Sequence, residues 1–134
     1  VATVRYERRI SADPDTVWSV FCEPDSIPEW FPGVVSCTVE GNIRTITLGT
    51  GLSMPEEILT VDPLLRRFQY KVTSPLYHFH LGTIDVIALG PLDSLCVYST
   101  TAVPDALALI TGGATDGALD EIKRMAEDKM REQS

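Results

Sequence analysis

Cysteine is scarce and scattered in this chain of 134 residues: Cys22, Cys37 and Cys96 stand far apart, with no Cys-x-x-Cys spacing. That excludes a zinc ribbon or a dithiol redox motif and leads us to expect buried, reduced thiols. Long apolar runs are missing too, and none approaches the roughly 20 residues that span a bilayer. The first residues, Val1-Ala2-Thr3-Val4-Arg5-Tyr6, alternate like a strand and lack the basic, apolar and small-residue regions of a secretory leader. A cytoplasmic location without stable membrane insertion is therefore expected. Positive charge is in deficit, with 11 Lys and Arg against 19 Asp and Glu and a formal net charge of −8. Such a balance opposes attraction to phosphate backbones, so no nucleic-acid partner is expected. Also absent are a Gly-x-Ser-x-Gly elbow, a phosphate-binding Gly-rich loop ending in Lys-Ser or Lys-Thr, and Gly-x-Gly-x-x-Gly. Thr47-Leu48-Gly49-Thr50-Gly51 reads as a hairpin turn.

What is present is ordinary globular composition, 44% hydrophobic and 22% charged, in a length that suits one domain over residues 1–134 with a core of its own. Residues 2–10 put Val4, Tyr6 and Ile10 on one face, the period of a half-buried strand, although Arg8 interrupts that face. Ser11 or Asp13 can cap the helix that follows, Pro14 suits its first turn, and Pro24 stops it. Residues 26–31 allow one helical turn carrying Trp30 and Phe31, as core or as cavity rim. From Val34 onward the period switches to two, in segments near 34–40, 43–49, 52–61, 66–74, 78–89 and 94–102, with turns at Gly41-Asn42, Asp62-Pro63 and Gly90-Pro91. With the first strand this makes seven, and short connections favour antiparallel neighbours. After Pro104, with Asp105 as a possible cap, Leu107, Ile110, Ala114, Ala118, Ile122, Met125 and Met130 recur at helical spacing. A long amphipathic helix lying on the sheet is predicted.

Two features suggest a site. Gly112, Gly113 and Gly117 fall in the first half of the last helix, where glycine costs up to about 1 kcal/mol relative to alanine. Missing side chains there can leave space for a ligand; a helix break or close helix-to-sheet packing are the alternatives. The only histidines, His78 and His80, share one face of a regular strand and titrate near neutral pH. No third metal ligand is selected by spacing from Glu56, Glu57, Asp85 and Cys96, so no metal is expected. An acid–base role for His80 or His78, with Glu57 or Tyr98, is the catalytic alternative. Phe68 and Tyr70 point inward together, and Cys96, Tyr98 and Thr100 share a face whose direction the pattern leaves open.

The order of elements, together with Ala12 to Trp18, Pro28-Glu29-Trp30-Phe31-Pro32 and the stretch Thr60-Val61-Asp62-Pro63 to Tyr70, resembles the START-like superfamily. That superfamily includes birch-pollen-allergen-like, lipid-transfer and polyketide cyclase/dehydrase proteins. The resemblance implies an α+β helix-grip fold: a seven-stranded curved antiparallel sheet wrapped around a long C-terminal helix, with two short helices after the first strand. It implies a cavity between sheet and helix for a lipid, polyketide or isoprenoid, and no cofactor. Walls would come from Trp30, Phe31, Phe68, Ile84, Ile110, Gly113 and Gly117, with Tyr70, His80 and Tyr98 orienting the ligand's polar end. Binding is the first expectation. The alternatives are a cyclase or dehydratase, in which a cavity histidine and a tyrosine run acid–base chemistry, and a co-chaperone type of docking module with a filled interior. Oligomeric state is left open.

Overall fold

A computed structural model describes residues 1–133. The first strand, β1 (Ala2–Ile10), leads into α1 (Pro14–Phe21), a 3-10 turn (Pro24–Ser26) and α2 (Ile27–Trp30). Six strands follow, β2 (Val34–Glu40), β3 (Ile43–Leu48), β4 (Ser53–Asp62), β5 (Arg67–Val72), β6 (Phe79–Gly90) and β7 (Asp93–Val103), before α3 (Asp105–Glu132) closes the chain. The strands form one curved antiparallel sheet in the order β1-β7-β6-β5-β4-β3-β2. Strands adjacent in sequence from β2 to β7 pair directly, while β1 and β2 occupy opposite edges. The two short helices carry the chain across that distance, giving the predicted helix-grip arrangement.

Local chemistry fixes the start of α1. Asp13 accepts from the Thr16 backbone N–H at 3.0 Å and from its hydroxyl at 2.6 Å, so Asp13 rather than Ser11 is the cap. At α3 the cap position is Pro104, and Asp105 is already helical. The sheet is regular except at register shifts in β2, β4 and β6.

The last helix packs against β1, β7 and α1. Its buried stripe is Ala108, Gly112, Thr115, Leu119, Ile122 and Ala126, joined by Ala118. The spacing is helical, but in the first half the stripe is built on small residues rather than on Leu107, Ile110 and Ala114, the sequence-based expectation. Ile110 is 70% exposed. The helix runs unbroken through Gly112-Gly113, so the glycines do not mark a break. A Cβ on Gly112 would stand 2.8 Å from the Val4 Cβ, closer than real contacts come, so this glycine lets α3 settle directly on β1. Arg8, the anomaly on the inner face of β1, is explained by the same contact. Its guanidinium reaches across to the Asp116 and Asp120 carboxylates of α3, the latter at 2.9 Å, and to the Asp116 carbonyl at 3.2 Å.

Gly112 and Gly113 should therefore respond oppositely to alanine. Gly112→Ala is expected to destabilise by about 1–3 kcal/mol through overpacking against Val4. Gly113, which has nothing within 4 Å of an added Cβ, should gain up to about 1 kcal/mol from helix propensity as Gly113→Ala. Urea denaturation of the two variants checks both signs.

Candidate functional site

Because α3 settles on the β1–β7 side, part of the inner face of β3, β4 and β5 is left facing open space. A cavity of about 470 Å³ lies there. Its walls are largely apolar, with Ile27, Phe31, Val34, Ile46, Leu48, Met54 and Val72 among the lining residues. Pro32, Gly33, Gly49 and Thr50 from two loops, and Ile110, Thr111 and Ala114 from α3, complete it. Exposure grades along the space: Ile110, Gly33, Gly49 and Thr50 are exposed, whereas Ile46, Glu56, Tyr70 and Val72 are buried. The first group forms the mouth and the second the inner end.

Polar groups gather at that inner end. Arg44 on β3 and Glu56 on β4 sit directly opposite each other in register, both facing inward and both buried. Arg44 Nε donates to Glu56 Oε1 at 2.9 Å, and Nη1 donates to the Pro24 carbonyl at 3.0 Å. Nη2 lies 2.8 Å from the same Oε1 but at an angle that leaves it without a directed hydrogen bond. The guanidinium carbon also stands 4.9 Å from the Tyr70 ring centroid and 5.3 Å from that of Phe68, within cation–π range. Burial pushes the Glu56 carboxyl above its ordinary value, while the charge and hydrogen bond of Arg44 pull it down. Deleting one partner alone would strand a buried charge at a cost of about 3–5 kcal/mol.

Beside the pair, Tyr70 lines the cavity and its hydroxyl meets that of Tyr98 at 2.5 Å. Gly82 makes this possible: an added Cβ there would lie 2.6 Å from the Tyr70 ring, so the missing side chain leaves the ring its place. Burial raises both phenol pKa values, so both hydroxyls remain protonated at neutral pH. Nearer the mouth, the Tyr77 hydroxyl bonds Thr111 Oγ1 at 2.6 Å, tying the β5–β6 loop to α3 across the cavity.

Of the wall residues expected from sequence, Phe31, Tyr70 and Ile110 border this space. Trp30 is core: it is buried, donates from Nε1 to Ser26 Oγ at 3.0 Å and packs on Phe21 and Tyr98. Phe68, Ile84 and Tyr98 are likewise buried and do not border the cavity. Gly113 faces outward, because the helix turns Gly112 to the sheet instead, and Gly117 lies opposite Pro32. The two histidines part company because β6 begins at Phe79. His78 stays exposed before the strand, with only its backbone N–H tied to the Val103 carbonyl, whereas His80 is buried.

His80 Nδ1 accepts the Val72 backbone N–H at 3.0 Å. The neutral ring therefore carries its proton on Nε2, which has no partner among the described residues, and no lone pair is left to abstract a proton from a ligand. Glu57 points to the outer face, where Lys71 stands 3.4 Å away. Neither His78 nor Glu57 borders the cavity, and His80 stands behind it. Among the described residues no group of three or more His, Cys, Asp or Glu comes together to hold a metal. No helix among them is long and apolar enough to cross a membrane. Cys96 is buried, but Cys22 and Cys37 are only half-buried, so the expectation for the thiols holds for one of three.

Sequence reasoning missed Arg44 as a site residue and considered Glu56 only as a metal ligand. The signal was parity: Arg44 alternates with Ile46 and Leu48, and Glu56 with Met54 and Ile58, so each charge sits on an apolar face.

Residues 1–132 match the family described as polyketide cyclase / dehydrase and lipid transport. No curated protein sequence matches the chain. Among solved structures, the protein XoxI from Bacillus cereus superposes with a TM-score of 0.87 at 22% identity, covering 97% of this chain and 99% of that one. The Zhui aromatase/cyclase from Streptomyces sp. R1128 gives 0.83 at 17% identity over 96% and 95% of the two chains. A START superfamily protein from Mycobacterium smegmatis gives 0.70 at 11% identity over 98% and 99%. These likenesses establish a shared fold.

His80 supplies a pH test of the inner end. Burial lowers its pKa from 6.5 to about 4. The unfolded chain thus takes up a proton near pH 6.5 that the folded chain refuses until about pH 4. The stabilisation is complete above the first value and lost by the second, about 3 kcal/mol in all. His80→Gln retains an acceptor for Val72, and its stability should lack this contribution between pH 6.5 and 4; parallel pH profiles for the two proteins would contradict the assignment.

Proposed function

The chain belongs to the polyketide cyclase / dehydrase and lipid transport family, and from that membership we propose that it binds a small, mostly apolar molecule between α3 and the sheet. The cavity carries this reading: about 470 Å³, apolar over most of its wall, exposed at one end and polar at the other. Its size falls in the range of small-molecule sites. Apolar contact supplies the affinity, near 25 cal/mol for each Å² removed from water, and the polar inner end orients the ligand. A docking module with a filled interior fits less well, because the inner face of β3–β5 is not filled.

A cyclase or dehydratase reaction is the second reading, favoured by one observation. Glu56 and Tyr70 share the inner wall, so a carboxylate and a protonated phenol face the same space, the pairing that proton abstraction beside a carbonyl requires. His80 takes no direct part, since its one basic nitrogen is occupied.

Titration with the neutral fluorophore N-phenyl-1-naphthylamine tests the first reading. We expect saturable binding with one site per chain. Ala114→Phe, which fills the cavity from α3, should weaken binding at least about tenfold without changing the far-ultraviolet spectrum. Lack of saturable fluorescence, or indifference to the filling substitution, would reject the cavity as a binding site.

A further inference from the structure

The inner end of the cavity has a particular balance of hydrogen-bonding groups. Nearer the mouth Tyr77 and Thr111 bond each other, and at the inner end the Tyr70 and Tyr98 hydroxyls bond each other, each pair having a donor and an acceptor of its own. Glu56 differs. Its Oε1 receives Arg44, whereas Oε2 has no hydrogen-bond partner among the described residues, although Glu56 borders the cavity. A carboxylate oxygen is an acceptor only, and this one keeps surface open to the cavity, where a ligand's donor can reach it.

The charge of Glu56 at neutral pH follows from its partner. The Arg44 guanidinium does not deprotonate in proteins. It is fully buried, and among the described residues Glu56 is the only carboxylate paired with it. Protonating Glu56 would leave a bare cation in the core, so the pair persists as one positive and one negative group with no net charge. A ligand carboxylate entering this end would meet the Glu56 carboxylate in a low-dielectric space, and a ligand ammonium would leave a net buried charge. Arg44 Nη2 also lacks a directed hydrogen bond, but Arg44 does not border the cavity, so an ether or ester would bring a second acceptor to the Glu56 acceptor. A neutral hydroxyl brings the missing donor and no charge.

Building on the binding reading above, we propose that the cavity selects neutral molecules whose leading end carries a hydroxyl, phenolic or aliphatic, received by Glu56 Oε2, and that it rejects carboxylates such as fatty acids. Among amphipathic ligands this separates alcohols and phenols from acids of the same apolar body. Glu56 is the specificity determinant, and Arg44 positions it.

Displacement of N-phenyl-1-naphthylamine at pH 7 by 2-naphthol, 2-methoxynaphthalene and 2-naphthoate tests this on the unaltered protein. The three competitors share one ring system and differ in offering a donor, a neutral acceptor or an anion. The naphthol should displace the probe at concentrations about tenfold or more below the other two. Equal potency, or preference for the ether or the acid, would overturn the proposal while leaving the cavity reading intact. Failure of the probe itself to bind would overturn both. Since removing Glu56 alone leaves Arg44 unpaired and risks unfolding, the variant to compare is Arg44→Met with Glu56→Leu, which replaces the pair by apolar residues. With its fold checked by circular dichroism, it should bind the probe and show no naphthol advantage. A retained advantage would show that Glu56 is not the receiving group.

Discussion

The seam between α3 and β1 decides where space is left inside this protein. Ala108, Gly112 and Thr115 present so little side chain that the helix comes to rest on Val4, and Arg8 holds it there through Asp116 and Asp120. A helix drawn toward one edge of a curved sheet cannot cover the other half. The inner faces of β3, β4 and β5 are therefore bounded by loops, by α2 and by the rim of α3 rather than by its packed stripe. The glycines make room, but the room appears on the opposite flank of the helix from the glycine that packs.

Two arginines point into the molecule and solve the problem of burial differently. Arg8 lies at the border of the core, half-buried, and shares two carboxylates that remain in contact with water. Arg44 is fully enclosed and has one carboxylate, one backbone carbonyl and two aromatic faces. The first is a clamp between helix and sheet. The second fixes the polarity of the inner cavity and brings Glu56 to its wall, with the Tyr70 ring close to both the guanidinium and Gly82.

Nearly all of the fold was legible in the sequence, because period-two alternation and capping residues act locally and the element order resembles a known superfamily. The helix stripe was less legible. Hydropathy favours Leu107 and Ile110, but contact distance favoured Ala108 and Gly112, and the choice depends on a strand more than 100 residues away in sequence. Of the candidate site, part of the cavity wall was legible: Phe31, Tyr70 and Ile110 border it, whereas Trp30, Phe68 and Ile84 went to the core. Strand parity alone does not separate a wall from a core position. The histidines misled because the strand starts one residue after His78 and because the Val72 N–H occupies His80. Arg44 and Glu56 were overlooked because a charge on an apolar face in one strand looks like an error until its partner in the next strand is aligned with it.

The division of the inner sheet face has an evolutionary meaning. On the β1 side, Val4 and Gly112 are constrained by each other, and a change in either must be answered by the other for the chain to fold. Toward the mouth, Leu48 and Met54 border a cavity rather than the packed stripe of α3. Their sizes can change without disturbing the seam between α3 and β1. A lineage built on this architecture can reshape its cavity through β3 and β4 while its folding determinants on β1 and α3 stay fixed.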